Sequence, residues 1–160
     1  MRLHVPARLR WSDLDAYGHV NNVQMLRLLE EARIEAFWSP EETAGVPVDC
    51  SETAVLNVQP GSGTLSLIAR QEIEYLVQVP YLRQSLDIQL WLGRLGGASL
   101  EVCYEVWNPE TTEPRVLFTR AATTLVLADS ETGRPRRISD VERAAWSPYV
   151  EAPLEFSRRR

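Results

Sequence analysis

One long stretch of this 160-residue chain repeats its apolar residues at helical spacing, and the long stretches after it repeat theirs at a spacing of two. That change of period constrains the fold more than any other feature. Met25, Leu28, Leu29, Ala32 and Ala36 recur at i, i+3 and i+4, and Val23, Leu26 and Phe37 widen the apolar arc. Asn21 or Asn22 supplies an N-cap, because the Asn side-chain oxygen accepts a backbone N–H of the first turn. Ser39-Pro40 ends the helix, since the residue before proline is pushed out of the α region. Arg27–Glu31 and Glu30–Arg33 stand at ion-pair spacing along it. A helix of this length is roughly 25 Å long, and so wide an apolar arc needs a sheet to cover it.

The sheet is legible in the alternation. His4 to Trp11 reads as a short strand with Val5, Ala7, Leu9 and Trp11 on one face. Residues 40–53 read as a loop. Between residues 65 and 79, Leu65, Leu67, Ala69, Ile73, Tyr75, Val77 and Val79 alternate with mostly polar neighbours. Leu86 to Leu92, Leu100 to Val106 and about Val116 to Ala128 repeat the pattern, separated by turns rich in Pro, Gly and Asn. Clean alternation across short turns means an antiparallel sheet with one buried face. Trp91, Cys103 and Trp107 fall on the other face, where they are either scattered surface residues or a subunit contact. Ser139 with Glu142 three residues on is a capping box that opens a short helix to Trp146. The architecture is α+β in one domain, residues 1–160, with a core at about 5–138 and a short helix and tail at 139–160.

Composition excludes several functions. A formal net charge of −5 argues against a nucleic-acid partner. All 17 cations are arginine, so no lysine is available for a Schiff base or a P-loop. The two cysteines, Cys50 and Cys103, belong to no disulfide or zinc framework. No apolar run approaches the ~20 residues that span a bilayer, and Met1 to Trp11 lacks the apolar region of a secretory signal. A cytoplasmic protein without metal or cofactor is the expectation.

The chemistry is concentrated between Arg10 and Asn22, which hold two carboxylates, a glycine, a histidine and two amides just before the helix. A helix N-terminus presents unpaired N–H groups and roughly half a positive charge. It favours an anion, or a carbonyl oxygen becoming one. A carboxylate beside that end can attack a bound carbonyl carbon or activate water to do so. That is a working geometry for acyl-transfer hydrolysis without a serine triad.

The segment Asp13-Leu-Asp15-Ala-Tyr-Gly18-His19-Val-Asn21-Asn22 resembles the Asp-x-Asp-x-x-Gly-His-Val-Asn-Asn pattern of hotdog-fold acyl-CoA thioesterases of the 4-hydroxybenzoyl-CoA thioesterase type. The match continues through Leu26 and Leu29 to Arg33 and, as pattern, over most of residues 5–138. The resemblance implies a hotdog fold, an antiparallel sheet wrapped around one long central helix. It implies Asp15 as catalytic nucleophile or general base, and the backbone N–H of Asn22, beside Asn21, as the donor that polarises the thioester carbonyl. It also implies acyl groups on coenzyme A or acyl carrier protein as substrates, no metal, and dimers joined sheet edge to sheet edge, often paired into tetramers, with sites at the subunit boundary. Three positions depart from the family. Met25 replaces a frequent aromatic and reshapes the acyl pocket. The hairpin Gly93-Arg94-Leu-Gly-Gly97-Ala-Ser99 carries one arginine, so phosphate binding leans on Arg94, Ser99 and backbone N–H groups such as that of Gly97. Ser85 replaces a turn glycine.

Each residue also has a plainer reading. Asp15 is equally a turn or cap residue, and Asp13 is first of all a structural turn residue. His19 either orients substrate or water or is a hydrogen-bonded structural group. Gly18 supplies close backbone approach or a positive φ. Solvent exposure alone explains Arg94 and Ser99 on their hairpin, Arg83 in the turn from Pro80 to Ser85, Arg134 to Arg137 and the three terminal arginines. A non-catalytic acyl-CoA-binding module and a dehydratase or hydratase with His19 beside Asp15 remain in competition with hydrolysis.

Overall fold

The computed structural model describes residues 1–41 and 50–157. The expected loop at 40–53 therefore falls largely outside the described residues, as do Arg158 to Arg160. The elements are β1 (Leu3–Ala7), α1 (Asn22–Phe37), β2 (Thr64–Tyr75), β3 (Leu86–Leu95), β4 (Ser99–Trp107), β5 (Leu117–Asp129) and α2 (Asp140–Trp146). The five strands form one antiparallel sheet in the order β1-β3-β4-β5-β2.

Helix α1 forms where the apolar period predicts it. Asn21 is its N-cap and accepts the Val23 N–H at 2.8 Å. Its buried face, from Met25 through Leu28, Leu29, Ala32 and Ala36 to Phe37, packs into one core with Ile88, Leu90 and Leu92 of β3, Val102, Tyr104 and Val106 of β4, and Leu125 and Leu127 of β5. Each fully buried Leu or Ile there contributes roughly 1.5–3 kcal/mol. Arg33 belongs to this layer too. It is buried, and its guanidinium donates to the Tyr104 hydroxyl at 3.0 Å, with Glu30 only at 4.0 Å.

Strand β1 is shorter than the alternation predicts. It pairs with β3 only from Leu3↔Leu90 to Ala7↔Leu86, where β3 begins, so among the described residues no strand partner exists beyond Ala7. The chain then tightens into a 3-10 turn at Trp11–Asp13, and Trp11 faces outward, stacked on Tyr81 at 4.4 Å. Strand β2 also differs from expectation. It ends at Tyr75, and its register slips between Ile68 and Arg70. Leu67 and Ile68 consequently stand 46% and 45% exposed on an edge strand that, among the described residues, pairs only with β5. The expected buried face does not reach this edge within one chain.

The face opposite α1 carries a correction of a different kind. Trp91 and Cys103 are covered neither by solvent nor by a second subunit but by the chain's own C-terminal segment. After a 3-10 turn at Ser147–Tyr149, residues 150–157 cross the sheet from β3 to β2. Glu151 N–H donates to the Leu92 carbonyl, the Trp91 indole N–H donates to the Ala152 carbonyl, and Ser157 N–H donates to Glu74. Gly93 lets this strap lie close, because a Cβ there would stand 3.0 Å from the Pro153 Cα and 2.7 Å from the Cys103 sulfur. Burial pushes the Cys103 thiol pKa up. A thiol reagent at neutral pH is expected to titrate exposed Cys50 quickly and Cys103 only after denaturation or removal of the strap. Two fast thiols in the folded chain would mean that the strap detaches.

Helix α2 opens on the expected capping box, with Ser139 and Glu142 each accepting the other's backbone N–H. Arg136, read from sequence as solvated, instead grips both oxygens of the buried Glu142 at 2.9 and 2.7 Å. Trp146 then plugs the end of the core, edge-on to Phe37 and donating to the Thr53 carbonyl. Burial of Glu142 opposes its ionisation, but Arg136 and the Ser139 N–H outweigh it, and its carboxyl titrates below the usual value of 4.5. The sign follows from linkage: this contribution is complete above the unfolded value and is lost as pH falls below it. The Tm of the wild type is expected to fall more steeply than that of Glu142→Gln between pH 5 and 3, roughly the range over which a carboxylate titrates. Parallel Tm–pH curves for the two proteins would remove Glu142 from the acid response.

Candidate active site

The motif folds as a tight turn that leads straight into α1. Asp15 N–H donates to the His19 carbonyl at 2.8 Å, and Gly18 N–H donates to the Asp15 carbonyl at 3.1 Å. Gly18 has φ +76°, the left-handed region that favours glycine, and nothing among the described residues lies within 4 Å of where a Cβ would be. Backbone conformation, not close approach, therefore selects glycine here. The turn is tied down on both sides, by Asn21 N–H to the Asp13 carbonyl and by Val20 N–H to the Val79 carbonyl, each at 2.8 Å.

The two acids of the motif have different surroundings. Asp13 is buried, and its carboxylate accepts the Arg10 backbone N–H at 2.7 Å and the Arg10 guanidinium at 3.3 Å, a structural arrangement. Asp15 commits one oxygen to the turn. Its Oδ1 accepts N–H bonds from Tyr17 at 2.8 Å and His19 at 3.2 Å. Among the described residues, no group pairs with its Oδ2, and Asp15 does not cap α1, because Asn21 does. His19 meets Asp15 through its backbone only; no hydrogen bond joins the imidazole to the carboxylate among the described residues.

Asp15, His19, Asn22 and Met25 come together around a cavity of about 300 Å³. As the first residue of α1, Asn22 has an N–H that no acceptor takes among the described residues. The Tyr75 hydroxyl, at the end of β2, donates to the Asn22 carbonyl at 3.2 Å and fixes that first turn to the sheet. Burial raises the Tyr75 pKa, so this hydroxyl remains a donor at neutral pH. Met25, one turn along α1, is buried at the cavity floor beside Thr119 and Val79. Gly18 and Asn21 belong to the turn and the cap around the cavity rather than to its lining.

Arg94, Gly97 and Ser99 lie elsewhere. Arg94 is exposed on the outer face of the sheet, paired in register with Glu101 and beside the strap residues Pro153 and Phe156. Gly97 accepts the Ile138 N–H and Ser99 accepts the Gly96 N–H through backbone carbonyls at the tip of the β3–β4 hairpin. None of the three lines the Asp15 cavity of the same chain. Sequence reasoning did not single out Thr119 or assign a role to Tyr75. Thr119 leaves one trace in the sequence, a hydroxyl on the inward phase of β5. A larger cavity of about 760 Å³, at the opposite end of α1, carries none of the motif residues. Among the described residues, no three His, Cys, Asp or Glu side chains converge as a metal site, and no helix is long and apolar enough to cross a membrane.

A sheet laid along one central helix, with a carboxylate beside the helix start, defines a hotdog domain of thioesterase type. Residues 9–148 match the thioesterase-like superfamily, and the chain belongs to that family. Among solved structures, the PA5185 protein of Pseudomonas aeruginosa is similar at 22% identity, with 95% of this chain and 94% of that one covered and a TM-score of 0.73. A predicted thioesterase of Bacillus stearothermophilus is similar at 22% identity, with 96% and 100% covered and a TM-score of 0.71. The PA2801 protein of Pseudomonas aeruginosa shares 28% identity over 90% of this chain and 95% of its own, with a TM-score of 0.67. Among curated proteins, none matches in sequence.

Proposed function

We propose that this protein hydrolyses acyl thioesters of coenzyme A or acyl carrier protein, with Asp15 as general base or nucleophile and the Asn22 N–H as oxyanion donor. One observation carries the reading: Asp15 and Asn22 line the same small cavity, and the Asp15 Oδ2 and the helix-start N–H of Asn22 both lack partners among the described residues. A thioester carbonyl lying between them receives the Asn22 N–H on its oxygen. As base, Asp15 takes a proton from water while the water oxygen bonds to the carbonyl carbon. Negative charge then builds on the oxygen facing the N–H. Collapse of the tetrahedral species breaks the C–S bond, and Asp15 returns the proton to the departing thiolate. As nucleophile, Asp15 bonds to the carbonyl carbon, the C–S bond breaks and the thiolate leaves, and water then hydrolyses the resulting acyl anhydride to free acid and the Asp15 carboxylate.

The working unit of this reading is a homodimer. Strand β2 is a twelve-residue edge with Leu65, Leu67 and Ile68 about half exposed, and Tyr75, Leu76 and Val77 continue that surface into the cavity wall. A long apolar edge is a template for another strand, and a second copy of β2 both covers it and encloses the cavity. In such a dimer, Arg94 and Ser99 are candidates to meet the nucleotide end of the substrate of the neighbouring subunit. A panel of acyl-CoA substrates of graded length, read by free-thiol release, tests the activity. Saturable binding without turnover across the panel would instead favour a non-catalytic acyl-CoA-binding module.

A further inference from the structure

Four buried side-chain polar atoms lack a hydrogen-bond partner among the described residues. Two of them, Glu74 Oε2 and Arg120 Nε, face each other as an ion pair at 3.5 Å. The other two, Thr119 Oγ1 and His19 Nδ1, both belong to residues lining the Asp15 cavity. A buried polar atom without a partner is costly, and each one in a native fold needs an explanation.

Thr119 is the more informative of the pair. It is 1% exposed on the inward face of β5, between Tyr75 of β2 and Val106 of β4 in register. Residues paired in this way share a face of the sheet. Tyr75 reaches the Asn22 carbonyl, and Thr119 lines the same cavity as Asn22 and Met25 of the first turns of α1. The other floor residues, Met25 and Val79, are apolar and buried. Valine has the shape and strand preference of threonine without a hydroxyl to desolvate. The fold alone therefore gives no reason for a hydroxyl at this point.

We infer that Thr119 is a specificity-determining residue that pairs with a hydrogen-bonding substituent, a hydroxyl or an oxo group, carried by the acyl chain close to the thioester carbonyl. This inference rests on the thioesterase reading of the same site. The distance along the chain follows from the helix. Asn22 holds the carbonyl, and Met25 lies three residues on, roughly 4.5 Å along the axis. A substituent reaching the floor beside Met25 is thus only a few bonds from the reacting carbon. A hydroxyl there donates to or accepts from Thr119 Oγ1, and His19 Nδ1 is available as a second partner. An unsubstituted chain leaves both atoms unpaired.

The test compares kcat/KM for 3-hydroxybutyryl-CoA and butyryl-CoA in the wild type, Thr119→Val and Thr119→Ser. The wild type is expected to prefer the hydroxylated substrate. Thr119→Val should reduce that preference by about tenfold, the scale of one neutral hydrogen bond, and Thr119→Ser should restore most of it. A preference ratio that valine leaves unchanged overturns the inference, whether both rates hold or both fall together; in the second case the hydroxyl serves the chemistry common to all substrates. If the wild type hydrolyses neither thioester nor any other in the panel, the thioesterase reading fails and this inference fails with it. If butyryl-CoA is hydrolysed and the ratio does not move, only the specificity assignment is lost.

Discussion

Asp15→Asn is expected to lower acyl-thioester hydrolysis by about 10²–10⁴-fold, the usual scale of a positioned acid–base group, while leaving the fold intact. The reason lies in the division of labour between the two carboxylate oxygens. Oδ1 accepts the Tyr17 and His19 N–H groups that close the turn, and an asparagine oxygen does the same. The oxygen without a partner becomes an amide nitrogen, which can neither take a proton from water nor attack a carbonyl carbon. Asp15→Ala separates the two roles. It loses the chemistry and also both turn hydrogen bonds, so its Tm should fall where that of Asp15→Asn does not. Thiol release from acyl-CoA, measured beside thermal melts of the three proteins, decides the matter. An unchanged rate in the folded asparagine variant would remove Asp15 from the mechanism.

Leu67→Arg is expected to dissociate the protein into monomers and to reduce activity with the dissociation. Leu67 sits half exposed on the long edge strand, and the segment that follows this strand forms a wall of the Asp15 cavity. A two-fold interface carries every substitution twice. At about 2 kcal/mol for each arginine placed in an apolar contact, the dimer dissociation constant rises by about 10³-fold. Sedimentation over a concentration series gives the assembly state, and thiol release at the same concentrations gives the activity. A variant that remains dimeric, or a wild type that is monomeric at micromolar concentration, would contradict the assignment of β2 as the dimer edge.

The long helix, its cap and its end were legible because each depends on near neighbours in the chain. Asn21 caps α1 by reaching two residues on, and Ser139 and Glu142 cap α2 by reaching three. The strands were legible for a related reason, since period-two alternation reports one buried face whatever the topology. The candidate site was legible to the extent that it is one continuous segment. Asp15, His19 and Asn22 are held together by a turn whose hydrogen bonds span two to four residues. Their placement around one cavity needs that turn and also the Val20 N–H to Val79 carbonyl bond, which joins it to the segment forming the opposite wall. Arg94, Gly97 and Ser99 depended on a contact between distant segments, and within one chain they stay at the far hairpin.

What the amino-acid sequence determined by itself was therefore the local layer: which segments coil, which extend, and which turn delivers a carboxylate to a helix start. Tertiary structure alone decided the rest. It drew residues 150–157 across Trp91 and Cys103, turned Arg136 onto Glu142, buried the Arg33 guanidinium against Tyr104, and brought Thr119 to the lining of the Asp15 cavity. It also left the apolar side chains of β2 half bare. Spacing encodes which face of an element is apolar, but not what covers that face. The cover is set by packing between segments many residues apart, where burial, close fit and the pairing of polar groups select one arrangement from many that share the same periodicity.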